Sequence, residues 1–302
     1  MTVRIAVITI NSELHTCQRI LKAGESLGHE VLLLDVLRFS IHTSEPFLRY
    51  RGEPLPHVSC GILRLGTQLQ GLAIAIGKTL QSMSVPLLDN VVALETARDK
   101  FETLQILSKS GLPVPETELV RDLDQLAASL QRLGPLPVVI KPLHGSQGQG
   151  TILAESEMAA VSMMQSILFQ SREFVLQKYI SCQGIDTRVM VVDGQVVAAM
   201  QREAPPGDFR SNLARGGTSR AVEVSEGMSE LALRATHELG LNCAGVDIVE
   251  GPDGLVILEV NGSPGLSGIE QATGVDVASL WISALESRIE EQTENKKRWD
   301  HV

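Results

Sequence analysis

Aromatic residues are scarce in this chain, at 3% of 302 residues. Its core must therefore rest on Leu, Val, Ile and Ala, and the 43% hydrophobic content is that of a soluble globular protein. No apolar run approaches the roughly 20 residues of a membrane span. Positive charge is also lacking. The net charge of −10 leaves no general basic face for nucleic acid, although one local basic pocket is compatible with it. Cys17, Cys60, Cys182 and Cys243 form no CxxC pair and read as reduced, structural thiols. The seven histidines include no HExxH, and there is no GxSxG, so neither zinc nor nucleophilic hydrolase chemistry is indicated. The start, MTVRIAVITI, lacks the features of a signal peptide, and the expected address is the cytosol.

What is present reads first as a parallel α/β unit. Strands are expected over Val3–Ile10, Glu30–Asp35, Cys60–Gly66 and Val85–Asn90, with helices over Cys17–Leu27 and Gln68–Met83. No GxGxxG follows the first strand, which excludes the usual dinucleotide fingerprint. Arg64 sits near a strand's carboxyl end, where open α/β sheets bind ligands. It is a candidate for a substrate carboxylate, and equally an ordinary surface arginine. A long amphipathic segment, Val91–Ser110, carries Lys100 and ends at Gly111, with Pro113 and Pro115 beyond it.

Strands and helices then mix as in a small α+β unit: strands near Thr117–Val120, Leu136–Pro142 and Phe174–Ile180, and helices over Asp122–Leu133 and Glu157–Gln170. A hairpin turned at Asp193-Gly194 follows, then a polar loop, a strand AVEVS from Ala221, and a helix over Gly227–Leu239. A second hairpin, Val246–Gly265, turns at Gly251-Pro252-Asp253-Gly254. The last helix is expected over Asp276–Glu290, with a frayed polar tail after it.

The second hairpin organises the chemistry. Folded about Asp253, it sets Asp247 across from Glu259. Strand alternation puts Glu259 and Asn261 on one face, with Leu258 and Val260 on the other. Two carboxylates and an amide beside a core suit a hard cation such as Mg²⁺. A solvated surface hairpin is the competing reading. Lys141 ends an apolar strand before the loop His144–Gly150, whose three glycines let backbone N–H groups approach phosphate oxygens. This is no Walker A loop, and a plain connector is the alternative. From Arg188 to Arg220, five arginines stand against three acids, and the loop Gly207–Gly217 has an anion-binding composition. Together these are the parts of phosphoryl transfer.

On the stretches ALETARDK (from Ala93), VVIKPLHGSQGQG (from Val138), GDFRSNLARGG (from Gly207), AGVDIVE (from Ala244) and EVNGSPGLSGIEQATGVD (from Glu259), the chain resembles the ATP-grasp superfamily and, within it, the RimK type of α-L-glutamate ligase. The resemblance implies an N-terminal parallel-sheet pre-ATP-grasp domain (1–94) and two α+β lobes (95–183 and 184–302). It implies ATP as co-substrate, with Lys100 and Lys141 on its phosphates and Gly145, Ser146, Gln147 and Gly148 covering them. Backbone groups at Lys178 and Tyr179 would recognise adenine, and Asp186 would sit near the ribose or the nucleotide edge. Arg202, Arg210, Ser211 and Asn212 would face the phosphates and the reacting centre, and Asp247, Glu259 and Asn261 would hold two Mg²⁺ or Mn²⁺ ions.

The implied reaction adds L-glutamate to a carboxylate through an acylphosphate. The acceptor would be the C-terminus of a small-subunit ribosomal protein or a poly-α-glutamate chain, and the enzyme a homo-oligomer. A related amino-acid ligase acting on a cofactor, small peptide or metabolite, or a non-catalytic nucleotide-binding regulator, are the rival readings. Lys178, Glu203 and Gly262 depart from the usual pattern, as does the NSELH loop from Asn11.

Overall fold

The computed structural model describes residues 2–65, 70–143, 150–169, 173–213 and 216–299. In chain order its elements are β1 (Arg4–Thr9), α1 (His15–Ser26), β2 (Glu30–Asp35), β3 (Phe39–Ile41), β4 (Leu48–Tyr50), β5 (Glu53–Pro54), β6 (Cys60–Arg64), α2 (Gln70–Ser82), α3 (Val91–Thr96) and α4 (Lys100–Lys109). Then follow β7 (Thr117–Leu119), α5 (Leu126–Leu133), β8 (Val138–Pro142), β9 (Ile152–Ala154), α6 (Glu157–Phe169), β10 (Phe174–Lys178), β11 (Ile185–Val192) and β12 (Gln195–Glu203). The rest are β13 (Thr218–Ala221), α7 (Glu226–Glu238), β14 (Cys243–Gly251), β15 (Gly254–Asn261), α8 (Ser267–Thr273) and α9 (Val277–Trp299).

β1 pairs in parallel with β2 and with β6. This is the outcome expected of apolar runs joined through a helix. The central sheet, β7-β10-β8-β9, is antiparallel, as is the C-terminal sheet, β13-β12-β11-β14-β15. Apolar residues of β1 and β6, including Ile5, Val7 and Ile62, share one core with α9 (Trp281, Ile282) and with Met190 and Met200 of the C-terminal sheet. The opposite face of that sheet, with Val189 and Val191, packs on Ala232 and Ala235 of α7.

Several elements differ from the sequence reading. Val85–Asn90 contributes only one parallel bridge, Gly61 to Leu87. Pro86 brings no N–H to a ladder, and Asn90 already caps α3 through its side chain and the Val92 N–H. Val91–Ser110 is two helices. Asp99 breaks it by accepting the Phe101 and Glu102 N–H groups at 2.9 Å each, which places Lys100 at the first turn of α4. The AVEVS strand lies earlier, as β13, because Ser225 turns the chain into α7. The small sheet β3-β4-β5 had no clear sequence signal. The last helix continues to Trp299, beyond the expected frayed end. No helix among the described residues is long and apolar enough to cross a membrane.

A buried polar knot ties the first sheet's last stretch to the C-terminal sheet. Asp89 accepts the N–H groups of Asn242 and Cys243 at 2.7 and 2.9 Å, and Asn242 donates to the Leu88 carbonyl and accepts from Arg288. Burial pushes the Asp89 carboxyl up to about 7, against the opposing pull of the two N–H groups, Arg288 and Arg64. The folded state therefore holds a proton that the unfolded chain, at about 3.9, has released. This group's contribution to stability should fall as pH rises from about 4 to 7, with a slope of up to about 1.4 kcal/mol per pH unit. Asp89→Asn should flatten that part of the urea-midpoint profile. An unchanged slope between pH 5 and 7 would exclude Asp89 as its source.

Candidate active site

The C-terminal sheet builds the site by register. On β11, Asp186 and Arg188 lie two residues apart and share a face. Asp186 pairs with Arg202 of β12, Arg188 pairs with Asp247 of β14, and Asp247 pairs with Glu259 of β15. Charges of opposite sign thus stand side by side across β12, β11 and β14, and two carboxylates face each other across β14 and β15. Arg188 grips Asp247 through Nε and Nη2, both at 2.7 Å. Arg202 grips Asp186 the same way at 2.7 and 2.6 Å and reaches Asp247 Oδ2 at 2.8 Å. Ser211 Oγ donates to Asp186 at 2.6 Å.

Arg202 is 3% exposed and Asp247 5%. For Arg202, burial opposes the charge, but the Asp247 and Asp186 carboxylates outweigh it and raise the pKa. For Asp247, burial pushes upward, yet Arg188 and Arg202 bring the carboxyl down to about 2. Both groups are charged at neutral pH because each is the other's compensation.

The hairpin places Asp247 opposite Glu259, as its turn predicted. Its alternation is not regular. The register slips between Asp247 and Ile248, so that Ile248 faces Ile257 and Leu258 is a bulge residue. Ile257 and Val260 are buried in the core, whereas Leu258 lines the cavity beside Glu259. The expectation that Leu258 shares the core face of Val260 is corrected by this bulge.

Two cavities open on this row of charges. The first, about 120 Å³, lies between the central and C-terminal sheets. It is lined by Lys141, Gln177, Lys178, Tyr179, Asp186, Arg210, Ser211 and Asp247. The second, about 430 Å³, reaches the first domain's strand ends and is lined by His15, Thr16, Arg64, Arg98, Arg188, Asn261 and Ser263. Lys100, Arg202, Asn212 and Glu259 line both. The structure so brings together residues spread over more than two hundred positions of sequence.

Lys141 lies on the first cavity's wall. Burial lowers its pKa, with Lys100 adding to that effect and Glu259 and Asp247 countering it. The Lys178 backbone N–H is committed to the Glu116 carbonyl at 2.9 Å. Tyr179 meets Phe209 edge-on, with ring centroids 6.3 Å apart. Arg210 binds Asp208 through Nε and Nη2, donates from Nη1 to the Thr151 carbonyl at 2.9 Å, and lies over Phe209. It thereby ties its loop to the far end of the Gly-rich segment. Gly145, Ser146, Gln147 and Gly148 lie outside the described residues, as does Arg215. Asp186 lines the first cavity, where its carboxylate already accepts from Arg202 and Ser211.

Arg64 lies at the end of β6 with its guanidinium 5.4 Å from the Trp281 ring centroid. Burial lowers its pKa to about 10, against Cys17 and Asp89, so it is still cationic at neutral pH. Its Nε and the Ser263 hydroxyl are buried without a hydrogen-bond partner among the described residues, beside the second cavity.

Asp247, Glu259 and Asn261 offer two carboxylates and an amide carbonyl, the hard oxygen donors that magnesium prefers. Among the described residues, no cluster of three or more His, Cys, Asp or Glu could hold a metal by itself. Asp247 takes three N–H donors, which leaves a lone pair on an ionised carboxylate. The Glu259 side chain makes no hydrogen bond with another described residue, and the Asn261 side chain accepts the Ser263 N–H, at 3.0 Å. The donor set fits such a cation.

Arg98, Gln177 and Ser263 carry no individual signal in the sequence, and Arg188 reads there only as charge. For Arg188 a signal existed: it lies two residues from Asp186 on one strand. Gln177 and Ser263 carried none, since only packing makes a buried amide or hydroxyl informative.

The chain matches the models of two families, the RimK pre-ATP-grasp domain over residues 3–94 and the RimK-like ATP-grasp domain over residues 97–285. It is 40% identical over 286 residues to a probable alpha-L-glutamate ligase of Marinomonas sp. (strain MWYL1), covering 94% of this chain and 95% of that one. Among solved structures, the fold is similar to the ATP-grasp ligase PsnB in complex with a phosphomimetic variant of its minimal precursor, Mg and ADP. There the TM-score is 0.74 and the identity 21%, over 94% of this chain and 98% of that one. It is also similar to D-cycloserine synthetase DcsG, with a TM-score of 0.75 and 20% identity over 95% and 99% of the two chains. With both family models filling most of its length, this chain belongs to the RimK-like ATP-grasp family and is a ligase that forms C–N bonds.

Proposed function

We propose that this ligase uses ATP to join the amino group of L-glutamate to an acceptor carboxylate, either the C-terminal glutamate of a ribosomal protein or the end of a poly-α-glutamate chain. The observation that carries the reading is the meeting of the two cavities at Lys100, Arg202, Asn212 and Glu259. A triphosphate lying in the first cavity would end at that junction, facing whatever fills the second. Five permanent cations, Arg64, Arg98, Lys100, Arg188 and Arg202, line the second cavity against the one carboxylate of Glu259. In a chain of net charge −10, such a lining suits a substrate rich in carboxylates.

In the reaction, the acceptor carboxylate attacks the γ-phosphorus and the bond to the β,γ-bridging oxygen breaks, giving ADP and an acylphosphate. The glutamate amine then attacks the acyl carbon, forming the amide and releasing phosphate, with the amine's proton lost to solvent. Lys100 and Lys141 hold phosphate oxygens, and the segment Gly145–Gly148 covers them. Backbone groups at Lys178 and Tyr179 edge the base, beside Asp186. Arg202, Arg210, Ser211 and Asn212 orient the transferring group. Arg202 arrives pre-aimed, because Asp186 and Asp247 fix its guanidinium before substrate binds. Asp247, Glu259 and Asn261 would hold two Mg²⁺ or Mn²⁺ ions, which when bound polarise phosphate oxygens and neutralise their charge. Water kept out by the closing lobes would otherwise hydrolyse the acylphosphate.

The test is incubation of the enzyme with ATP, Mg²⁺ and glutamate, with and without ribosomal protein, read by ADP release and mass spectrometry. A ladder of glutamyl additions supports the reading; no ADP with any carboxylate acceptor removes it. Arg64→Ala should raise the KM for glutamate or the acceptor by about 10- to 100-fold, the scale of a hydrogen bond to a charged group, while the KM for ATP stays near normal. A change confined to ATP would remove the second cavity as the substrate site.

A further inference from the structure

Arg64 ends β6 on the side of α9. Cys60 and Ile62, which alternate with it along the strand, belong to the core that holds Trp281 and Ile282, so the strand turns Arg64 toward the same helix. Leu63, between them, belongs to the other core. The Arg64 guanidinium carbon lies 5.4 Å from the Trp281 ring centroid, within the roughly 6 Å of a cation–π contact. Among the described residues Arg64 has no hydrogen bond or ion pair to a carboxylate, and its Nε is buried. Asp89 acts on it only through space. A buried cation without a contacting anion is costly, and the indole face is the compensation at hand.

The ring itself is fixed. Trp281 is 1% exposed, in the core with Val7, Ile62 and Ile282. The start of α9 is anchored just before it. Arg19 of α1 binds Glu270 and Asp276 at 2.7 Å each, and Glu270 also accepts the Ala278 N–H at 3.1 Å. The indole N–H is buried without a partner among the described residues. An orphaned donor costs stability, and Leu, Met or Phe in the same place would avoid that cost. What the indole supplies and they do not is the strongest π face for a cation. Arg64 borders the second cavity, and Trp281 stands behind it, out of reach of a substrate.

We propose that Trp281 is the positioning residue of the carboxylate site: its ring fixes the plane of the Arg64 guanidinium, so that the N–H fork meets an incoming substrate carboxylate without first being ordered. This rests on the second cavity being the site of the carboxylate-bearing substrate. An arginine fork takes a carboxylate through two parallel N–H bonds when the two groups share a plane. Rotamer freedom already lost in the free enzyme is not lost again on binding.

The test is the Kd of tri-α-L-glutamate by calorimetry, with ADP and Mg²⁺ present, in a double-mutant cycle of Trp281→Met and Arg64→Met. Trp281→Met should weaken the peptide by about 3- to 30-fold, the range of cation–π contacts, and leave the Kd of ADP unchanged. Trp281→Phe, which keeps a ring, should recover part of the loss. In the Arg64→Met background, Trp281→Met should weaken binding no further, a result that loosened packing does not give. Equal losses in both backgrounds, or no loss with Arg64 present, overturn the positioning role alone. A parent chain that binds no peptide, or an Arg64→Met chain that binds it as the parent does, overturns the second cavity as the carboxylate site and this role with it. A second readout leaves the ring untouched. The chain has two tryptophans, so in Trp299→Phe the emission is that of Trp281. That emission should shift as the peptide binds, and should stay constant when Arg64→Met is added. Peptide binding with no shift also overturns the positioning role.

Discussion

Glu259→Gln should lower the rate of ADP formation by at least about 100-fold, the scale of removing one electrostatic partner of a transition state. Glu259 lines both cavities at their junction, faces Asp247 in register, and its side chain has no hydrogen bond to another described residue. Its carboxylate acts on Lys141 through space and has oxygens left for a cation. Glutamine keeps the length and an oxygen but removes the negative charge that draws a divalent cation. Folding should change little, because no side-chain hydrogen bond to a described residue is lost and Asp247 still opposes the Lys141 charge, and a urea midpoint close to that of the parent checks this. Mn²⁺ bound to the enzyme with ADP, counted by electron paramagnetic resonance, should fall in step with the rate. A near-normal rate, or a slow variant that binds metal as the parent does, removes Glu259 from the metal site.

Arg202→Met should be the most destabilising single change in the site, by about 3–5 kcal/mol, the penalty for leaving buried charge uncompensated. Methionine fills much of the same space, so the loss isolates charge from volume. Asp186 would lose its bidentate partner and keep only the Ser211 hydroxyl; Asp247 would keep Arg188. Urea titrations of the parent and the variant at pH 8 make the comparison. A Met variant as stable as the parent at pH 8 would mean that the buried network contributes nothing net. Replacing both Arg202 and Asp186 with apolar residues should recover part of the loss, because the unpaired charge itself is removed.

Local signals carried far in this chain. The Asp193-Gly194 and Asp253-Gly254 turns set both hairpins of the C-terminal sheet, and Asp193 and Gly194 adopt the positive φ angles, 48° and 71°, that such a two-residue turn needs. The pairing of Asp247 with Glu259 then followed by counting. The Gly111 stop, at φ 72°, was equally legible. Where a cap competed with periodicity, the cap won: Asp99 divided a segment that reads as one amphipathic run. The bulge at Leu258 escaped notice because two against one across a ladder leaves no mark in the apolar pattern.

The sequence by itself determined most of the helices and strands, the parallel first sheet, the paired carboxylates and the family, since each depends on neighbours close along the chain or on motifs of distinctive composition. Only the tertiary structure decided what those charges do. Arg188, Arg202, Asp186 and Asp247 neutralise one another because strand register sets residues up to about sixty positions apart at hydrogen-bond distance. Arg64, over 120 residues from Arg188, joins the same cavity only because the first sheet's carboxyl ends abut the C-terminal sheet. Burial then sets the strength of each charge, and burial is a property of the packed chain that no local spacing encodes.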